Sequence, residues 1–133
     1  MADTVNPPLV EIAIGELIDK LTILQIKSEH IQEPAKLKNI LFEIELLNEA
    51  RRQSVPESPE LTRLEVELKA VNQQIWDIED AVRDCERNQR FDEHFVALAR
   101  SVYKTNDKRA AVKKRINELF NSRIVEEKSY AAY

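Results

Sequence analysis

The chain has 133 residues, 43% hydrophobic and 33% charged, with a formal net charge of −4. A chain of that size suits one domain, able to bury roughly 65–70% of its unfolded surface without disulfides or metal. One glycine and five prolines argue against the many tight turns of an all-β domain, and the lone cysteine, Cys85, excludes an internal disulfide framework.

The first fourteen residues read as an extended N-terminal segment. Two prolines open VNPPLVEIAI, and Val10, Ile12 and Ile14 alternate with polar or small neighbours. A first helix is expected from Gly15 to about Ile31. It is apolar over much of its circumference, with Leu17, Ile18, Leu21 and Leu24 on one side and Ile23 and Ile26 on another, so it should be the most enclosed helix. Pro34 ends it, because the residue before a proline is pushed away from helical angles. A second helix over 34–53 presents Leu37, Ile40, Leu41, Ile44 and Leu47. SVPESPE then breaks the chain, with Ser58 placed to cap a third helix and Pro59 in its first position.

That third helix, about 59–88, has the strongest pattern. Leu61, Leu64, Leu68, Val71, Ile75, Ile78, Val82 and Cys85 fall on alternating three- and four-residue steps, a coiled-coil-like seam. Asn88-Gln89-Arg90 reads as a turn, and a fourth helix should run from Phe91 or Asp92 to about Asn121, leaving residues 122–133 as a tail. At ~1.5 Å per residue the third and fourth helices would each be about 45 Å long. The expected architecture is an all-α, four-helix antiparallel bundle in a single domain, built on a long hairpin of helices three and four with the shorter first pair packed against part of it. Length left over in the hairpin suggests a homodimer.

The fourth helix keeps its apolar rhythm through Phe95, Leu98, Val102, Val112, Ile116 and Leu119 but puts Thr105 and Arg109 in the slots between. In a hairpin turning near residue 89, facing positions sum to about 179. That sets Arg109 near Ala70, Asn106 near Asn72, Tyr103 near Trp76, and Arg100 near Glu79 and Asp80. Glu16, Asp19, Lys20 and Lys27 stand on the first helix beside its buried isoleucines, so three helices aim polar groups at the middle of the bundle.

A satisfied polar layer is one account of this: Arg100 with Glu79, Arg109 with a carboxylate of helix one or three, Asn72 with Asn106, and Glu16, Asp19 and Asp107 in the same network. Such layers fix register and helix order. The other is an inter-helix ligand site, in which Lys20, Lys27, Arg83, Arg100, Arg109 and Lys113 hold a phosphate or carboxylate. Trp76, Tyr103 and Asn106 would line it. A carboxylate-metal variant places Mg²⁺ on Glu16 and Asp19 facing Glu79 and Asp80, although an ExxD in a first helical turn also complements the helix dipole. No other cofactor is expected. One glycine leaves no phosphate-cradling loop, and one cysteine with two histidines makes no ordinary zinc site.

Charge is uneven along the chain: residues 1–59 carry −4, residues 60–99 carry −5 and residues 100–133 carry +5. The basic run Lys104, Lys108, Arg109, Lys113, Lys114 and Arg115 lacks the interleaved aromatics of a single-strand platform, and an acidic chain works against non-specific nucleic-acid binding. LVEIAIGELI is interrupted by Glu11 and Glu16, so membrane insertion is not expected and the location reads as cytoplasmic. Ile124, Val125, Tyr130 and Tyr133 give the tail enough apolar surface to dock, with Glu126 and Glu127 facing the basic helix.

Four stretches in order, GELIDKLTILQIK (15–27), WDIEDAVR (76–83), LARSVYKTNDKRAAVKKRIN (98–117) and EEKSY (126–130), resemble an uncharacterised family of small bacterial helical proteins. The resemblance implies a bacterial cytoplasmic setting, in association with genes for glycosyltransfer and surface polysaccharides, and no established activity. Two functions stay open: a non-catalytic interaction or accessory protein, with a protein partner as well as itself, and a small-ligand protein or enzyme acting on an anionic (phosphate or sugar-phosphate) compound.

Overall fold

The computed structural model describes residues 5–133. It is a four-helix bundle of α1 (Ile14–His30), α2 (Pro34–Ser54), α3 (Pro59–Arg87) and α4 (Glu93–Leu119), with no strand among the described residues. The expected helices all form, with ends shifted by one or two residues.

Each terminus has a local cause. Ser58 accepts the Leu61 amide at 3.1 Å, with Pro59 in the first turn, and Asp92 accepts from the amides of His94 and Phe95. Both hairpin helices end in a Schellman motif. After α3, Arg90 N–H reaches the Cys85 carbonyl and Gln89 N–H that of Glu86; after α4, Ser122 N–H reaches Asn117 and Asn121 N–H reaches Glu118. The left-handed position of each motif, usually glycine, is Gln89 (φ 51°) and Asn121 (φ 50°).

The helix that is apolar nearly all round is the hub. α1 packs against all three other helices, while α3 and α4 pair along the hairpin and the α2 backbone approaches α1 alone. Leu17, Ile18 and Leu21 meet Leu61 and Leu68 of α3, Val112 and Ile116 of α4, and Val55 from the α2–α3 connection. The eight seam residues of α3 are all buried or half-buried. Arg115 bonds Glu67 across the hairpin, positions summing to 182 and within one helical turn of the expected register.

The first pair packs on the hairpin through α1. α2 lies outermost, with Ile40 its only buried residue and Leu41, Phe42 and Leu46 exposed. Its C-terminal end is latched by Arg51, which donates to Glu65 of α3 at 2.7 and 2.9 Å and to Glu57 of the connection. Those hydrogen bonds, Glu65 first, hold the guanidinium above its usual pKa against desolvation.

The single glycine marks a close approach of α1 to α4. No side chain of its own segment caps α1; instead Gly15 N–H donates to Asn117 Oδ1 at 2.7 Å. A Cβ at residue 15 would stand 2.6 Å from both that oxygen and the Lys113 carbonyl oxygen. One of these atoms is backbone and cannot swing away. Gly15→Ala is therefore expected to destabilise the chain by about 1–3 kcal/mol, despite alanine's better helix propensity. Asn117→Ala should cost about 1 kcal/mol and leave Gly15→Ala unrescued, both checked by urea denaturation.

Candidate functional site

The polar residues that interrupt the apolar stripes do converge, and their centre is Asp19. Its side chain is almost fully enclosed. Arg109 of α4 grips it from both edges, Nε to Oδ1 at 3.0 Å and Nη2 to Oδ2 at 2.5 Å, the bidentate geometry a guanidinium offers a carboxylate. From α3, Asn72 donates its amide to Asp19 Oδ1 and to Thr22 Oγ, each at 2.9 Å. The Thr22 hydroxyl in turn donates to the Asp19 carbonyl. Lys113, one helical turn along from Arg109, is buried with its ammonium 2.8 Å from Glu16, 3.0 Å from Glu126 and 3.9 Å from Asp19.

Electrostatics follow from these contacts. The hydrogen bond to Asp19 holds the Arg109 pKa above its ordinary value, outweighing burial. Burial pushes Lys113 down, but Glu16 and Glu126 together push it up further, so it stays charged. Lys128 and Lys113 hold the Glu126 carboxyl below the usual range. Among the described residues no enclosed side-chain nitrogen or oxygen lacks a partner.

The other sequence-expected residues fall around this centre or away from it. Arg109 pairs with a carboxylate of helix one, as expected. Asn72 does not meet Asn106; it turns to α1, and Asn106 is exposed. Arg100 does not pair with Glu79, which is held by Arg83 one turn along the same helix at 2.9 Å, and Arg100 has no ion pair among the described residues. An i,i+4 partner on one helix is reached with less ordering than a partner across the hairpin. Lys20 is exposed and 4.0 Å from Glu16, and Lys27 is half-buried in the last turn of α1. Trp76 stacks on His30, ring centroids 4.8 Å apart. The carboxylates Glu16, Asp19, Glu79 and Asp80 do not gather: no group of three or more His, Cys, Asp or Glu stands in metal-binding proximity among the described residues.

Two clefts flank Arg109. One, about 340 Å³, lies between α1, α3 and α4 and includes Ile23, Trp76, Arg83 and Arg109. The other, about 910 Å³, lies under the tail and includes Tyr103, Asn106, Lys113 and Tyr133. The tail folds back along α4: Glu126 meets Lys113, Tyr133 donates its hydroxyl to Asp107 at 2.5 Å, and the Tyr133 ring sits edge-on to Tyr103. Val125, Tyr130 and Tyr133 stay largely exposed, so apart from the Tyr103–Tyr133 ring contact the attachment is polar.

Three contacts carry no advance signal in the sequence: the Asn117 cap on α1, the His30–Trp76 stack and the Arg51 latch. Each joins positions separated by 14 residues or more with no motif between. The inward turn of Arg109 is signalled by its place in the apolar rhythm; that of Lys113, which lies outside the rhythm, is not, and Lys104, Lys108, Lys114 and Arg115 of the same basic run are solvated.

A family model described as a family of unknown function, DUF6165, matches residues 9–133. Neither the curated proteins nor the solved structures contain a match. No described helix is long and apolar enough to cross a membrane.

Two outcomes are expected. Arg109→Met strands the enclosed Asp19 carboxylate and should cost about 3–5 kcal/mol. Asp19→Asn should cost less, because half-exposed Arg109 can turn to water and the new amide keeps one oxygen for Asn72; a double-mutant cycle should show coupling above about 1 kcal/mol. Because the folded pKa of Glu126 lies below its free value of about 4.3, its contribution is present above that pH and lost as pH falls through the depressed value. Heteronuclear relaxation of residues 124–133 should show the tail loosening on acidification, and loose already at neutral pH in Glu126→Gln.

Proposed function

The chain belongs to the family of unknown function DUF6165, and on that premise we propose that it is a non-catalytic interaction module in which the buried polar layer orders the bundle and uncovered helix faces meet a partner. The observation that carries this is the contrast between inside and outside. Inside, Asp19, Arg109 and Lys113 are committed to one another and to Asn72, Glu16 and Glu126, which leaves no free acid or base in the centre. Outside, Phe42 (67% exposed) and Leu46 (56%) stand one turn apart on α2 with Leu41 beside them, an apolar patch of the kind that marks contact sites.

The hairpin supplies a second uncovered surface. α1 ends beside Trp76, while α3 runs on for 11 residues to Arg87, about 16 Å further. Phe91 and Val96, in the turn and first turns of α4, are each 52% exposed. The partner we assign first is a second copy of the chain; a different protein is the other outcome of the same test. The bacterial cytoplasmic setting, beside surface-polysaccharide or glycosyltransfer functions, rests on the motif resemblance alone.

One observation favours a second reading, in which the inter-helix region receives a small anionic compound such as a phosphate or sugar phosphate. Arg109 lines both clefts and its Nη1 donates no bond to the described residues.

Sedimentation equilibrium from micromolar to about 200 μM tests the interface. Twice the chain mass is expected at the upper end, and Phe42→Glu/Leu46→Glu should remain monomeric with unchanged helicity, since both positions are solvent-facing and such changes usually shift stability within about 0.5 kcal/mol. A wild-type chain monomeric throughout would remove the second copy as partner.

A further inference from the structure

Lys113 and its partner Glu126 are held very unequally. The lysine side chain is 9% exposed and is anchored from behind by Glu16 at 2.8 Å, with Asp19 Oδ2 at 3.9 Å. The carboxylate of Glu126 is 42% exposed. It belongs to the tail, which also touches α4 through the Tyr133 hydroxyl on Asp107 and the Tyr103–Tyr133 ring contact. The cation is part of the bundle, and its outermost anion sits on an element that can lift.

That anion has the geometry of a seated ligand. Its Oε2 lies 3.0 Å from the Lys113 ammonium, and its Oε1 lies 3.0 Å from that of Lys128. Asp19 brings Arg109 to the same place, because Arg109 Nη2 and Lys113 Nζ share its Oδ2, at 2.5 and 3.9 Å. Glu126 adds to the charges that hold the Arg109 guanidinium ionised, and Arg109 Nη1 donates no bond to the described residues. Arg109, Lys113 and Lys128 here face Glu16, Asp19 and Glu126. Lys20, beside Glu16, and Asp107, bonded to Tyr133, add one charge of each sign. With Lys128 in place, the set is neutral only when an anion stands where Glu126 does. The surrounding cleft, about 910 Å³, is of a size that takes small molecules, and Tyr103 and Asn106 line it beside the cations.

We propose that Glu126 is a built-in stand-in for a phosphate monoester, which enters the cleft beneath the tail and displaces it. The phosphate takes the Lys113 ammonium from Glu126 and the unused Nη1 of Arg109, a guanidinium edge suited to phosphate oxygens, and the tail is released. This rests on the anion reading of the inter-helix region, and adds which cleft is used and what the ligand competes with.

Amide shifts and heteronuclear relaxation of the full chain are followed during titration with inorganic phosphate and with glucose 1-phosphate, against sodium chloride at matched ionic strength. Saturable shifts at Arg109 and Lys113 are expected, with residues 124–133 loosening in step with saturation. Glu126→Gln removes the competing charge-assisted contact and should bind glucose 1-phosphate about tenfold more tightly. Glu127→Gln makes the same charge change on a neighbour with no ion pair among the described residues, and should bind as the wild type does. Both positions are exposed, so neither variant disturbs the core. Saturation centred on other residues, equal affinity in wild type and Glu126→Gln, or a tail still ordered at saturation would overturn the seat at Glu126 and leave the anion reading standing. An equal gain in both variants would reduce the effect to net charge and overturn the seat likewise. No saturable shift in any of the three chains up to about 20 mM, or the same shifts with chloride, would overturn the seat and the anion reading together.

Discussion

A carboxylate enclosed in the middle of the bundle is the constraint to which the other elements answer. Asp19 sits on the one helix that touches all the others, with its side chain almost wholly out of water. An ionised group there is tolerable only when it is paired and hydrogen-bonded. The partners come from both hairpin helices, Arg109 and Lys113 from α4 and Asn72 from α3. An apolar helix in an apolar groove can rotate and slide among nearly equivalent packings. The bidentate grip of Arg109 and the amide of Asn72 accept only one rotation and one height, so the polar layer sets the packing that the isoleucines and leucines then fill. The 2.7 Å contact of Gly15 with Asn117, one turn of α1 away, belongs to that same seating.

Enclosure of α1 leaves other surfaces uncovered. α2 covers one flank of the hub and shows its own outer face to solvent, including Phe42 and Leu46. The distal hairpin, past the end of α1, is held by a single seam between α3 and α4. The tail lies on α4 through Glu126 and Tyr133 without burying its tyrosines. The chain thus has a cooperative centre around α1 and a periphery attached by fewer contacts. Arg109 stands at the boundary: one edge of its guanidinium is structural, and the other opens on the two clefts.

Much of this arrangement was legible in the sequence, for physical reasons that also set its limits. The α3 seam is periodic because one face meets one neighbour, and every seam residue is buried or half-buried. The near-complete apolar circumference of α1 signals a helix with neighbours on several sides, which it has. Thr105 and Arg109 broke the stripe of α4, and the break does mark the inward polar layer. What the sequence does not contain is partner choice. Glu79 takes Arg83 on its own helix in preference to Arg100, and Asn72 takes Asp19 and Thr22 in preference to Asn106. A pairing rule summed along the hairpin cannot decide between a neighbour one turn away and one across a groove. Nor does periodicity show that α2, with five apolar positions at helical spacing, buries only Ile40. The end of α3 at Gln89 is similarly silent, since its left-handed position lacks the glycine that would have announced it.

The contacts between α1 and α4 join residues far apart in the chain: 90 positions separate Asp19 from Arg109, 97 separate Glu16 from Lys113, and 102 separate Gly15 from Asn117. The α3/α4 hairpin, closed by a three- to five-residue turn, can nucleate locally at small loop-closure cost. The first helix must then find its groove by diffusion of a long tether, and it carries the ionic partner that completes the layer. Until it arrives, Arg109 and Lys113 remain hydrated and the groove that will hold Ile18 and Leu21 lies open. Contact order thus predicts that docking of the N-terminal third follows closure of the hairpin, and that a hairpin formed without it exposes a groove open to wrong partners.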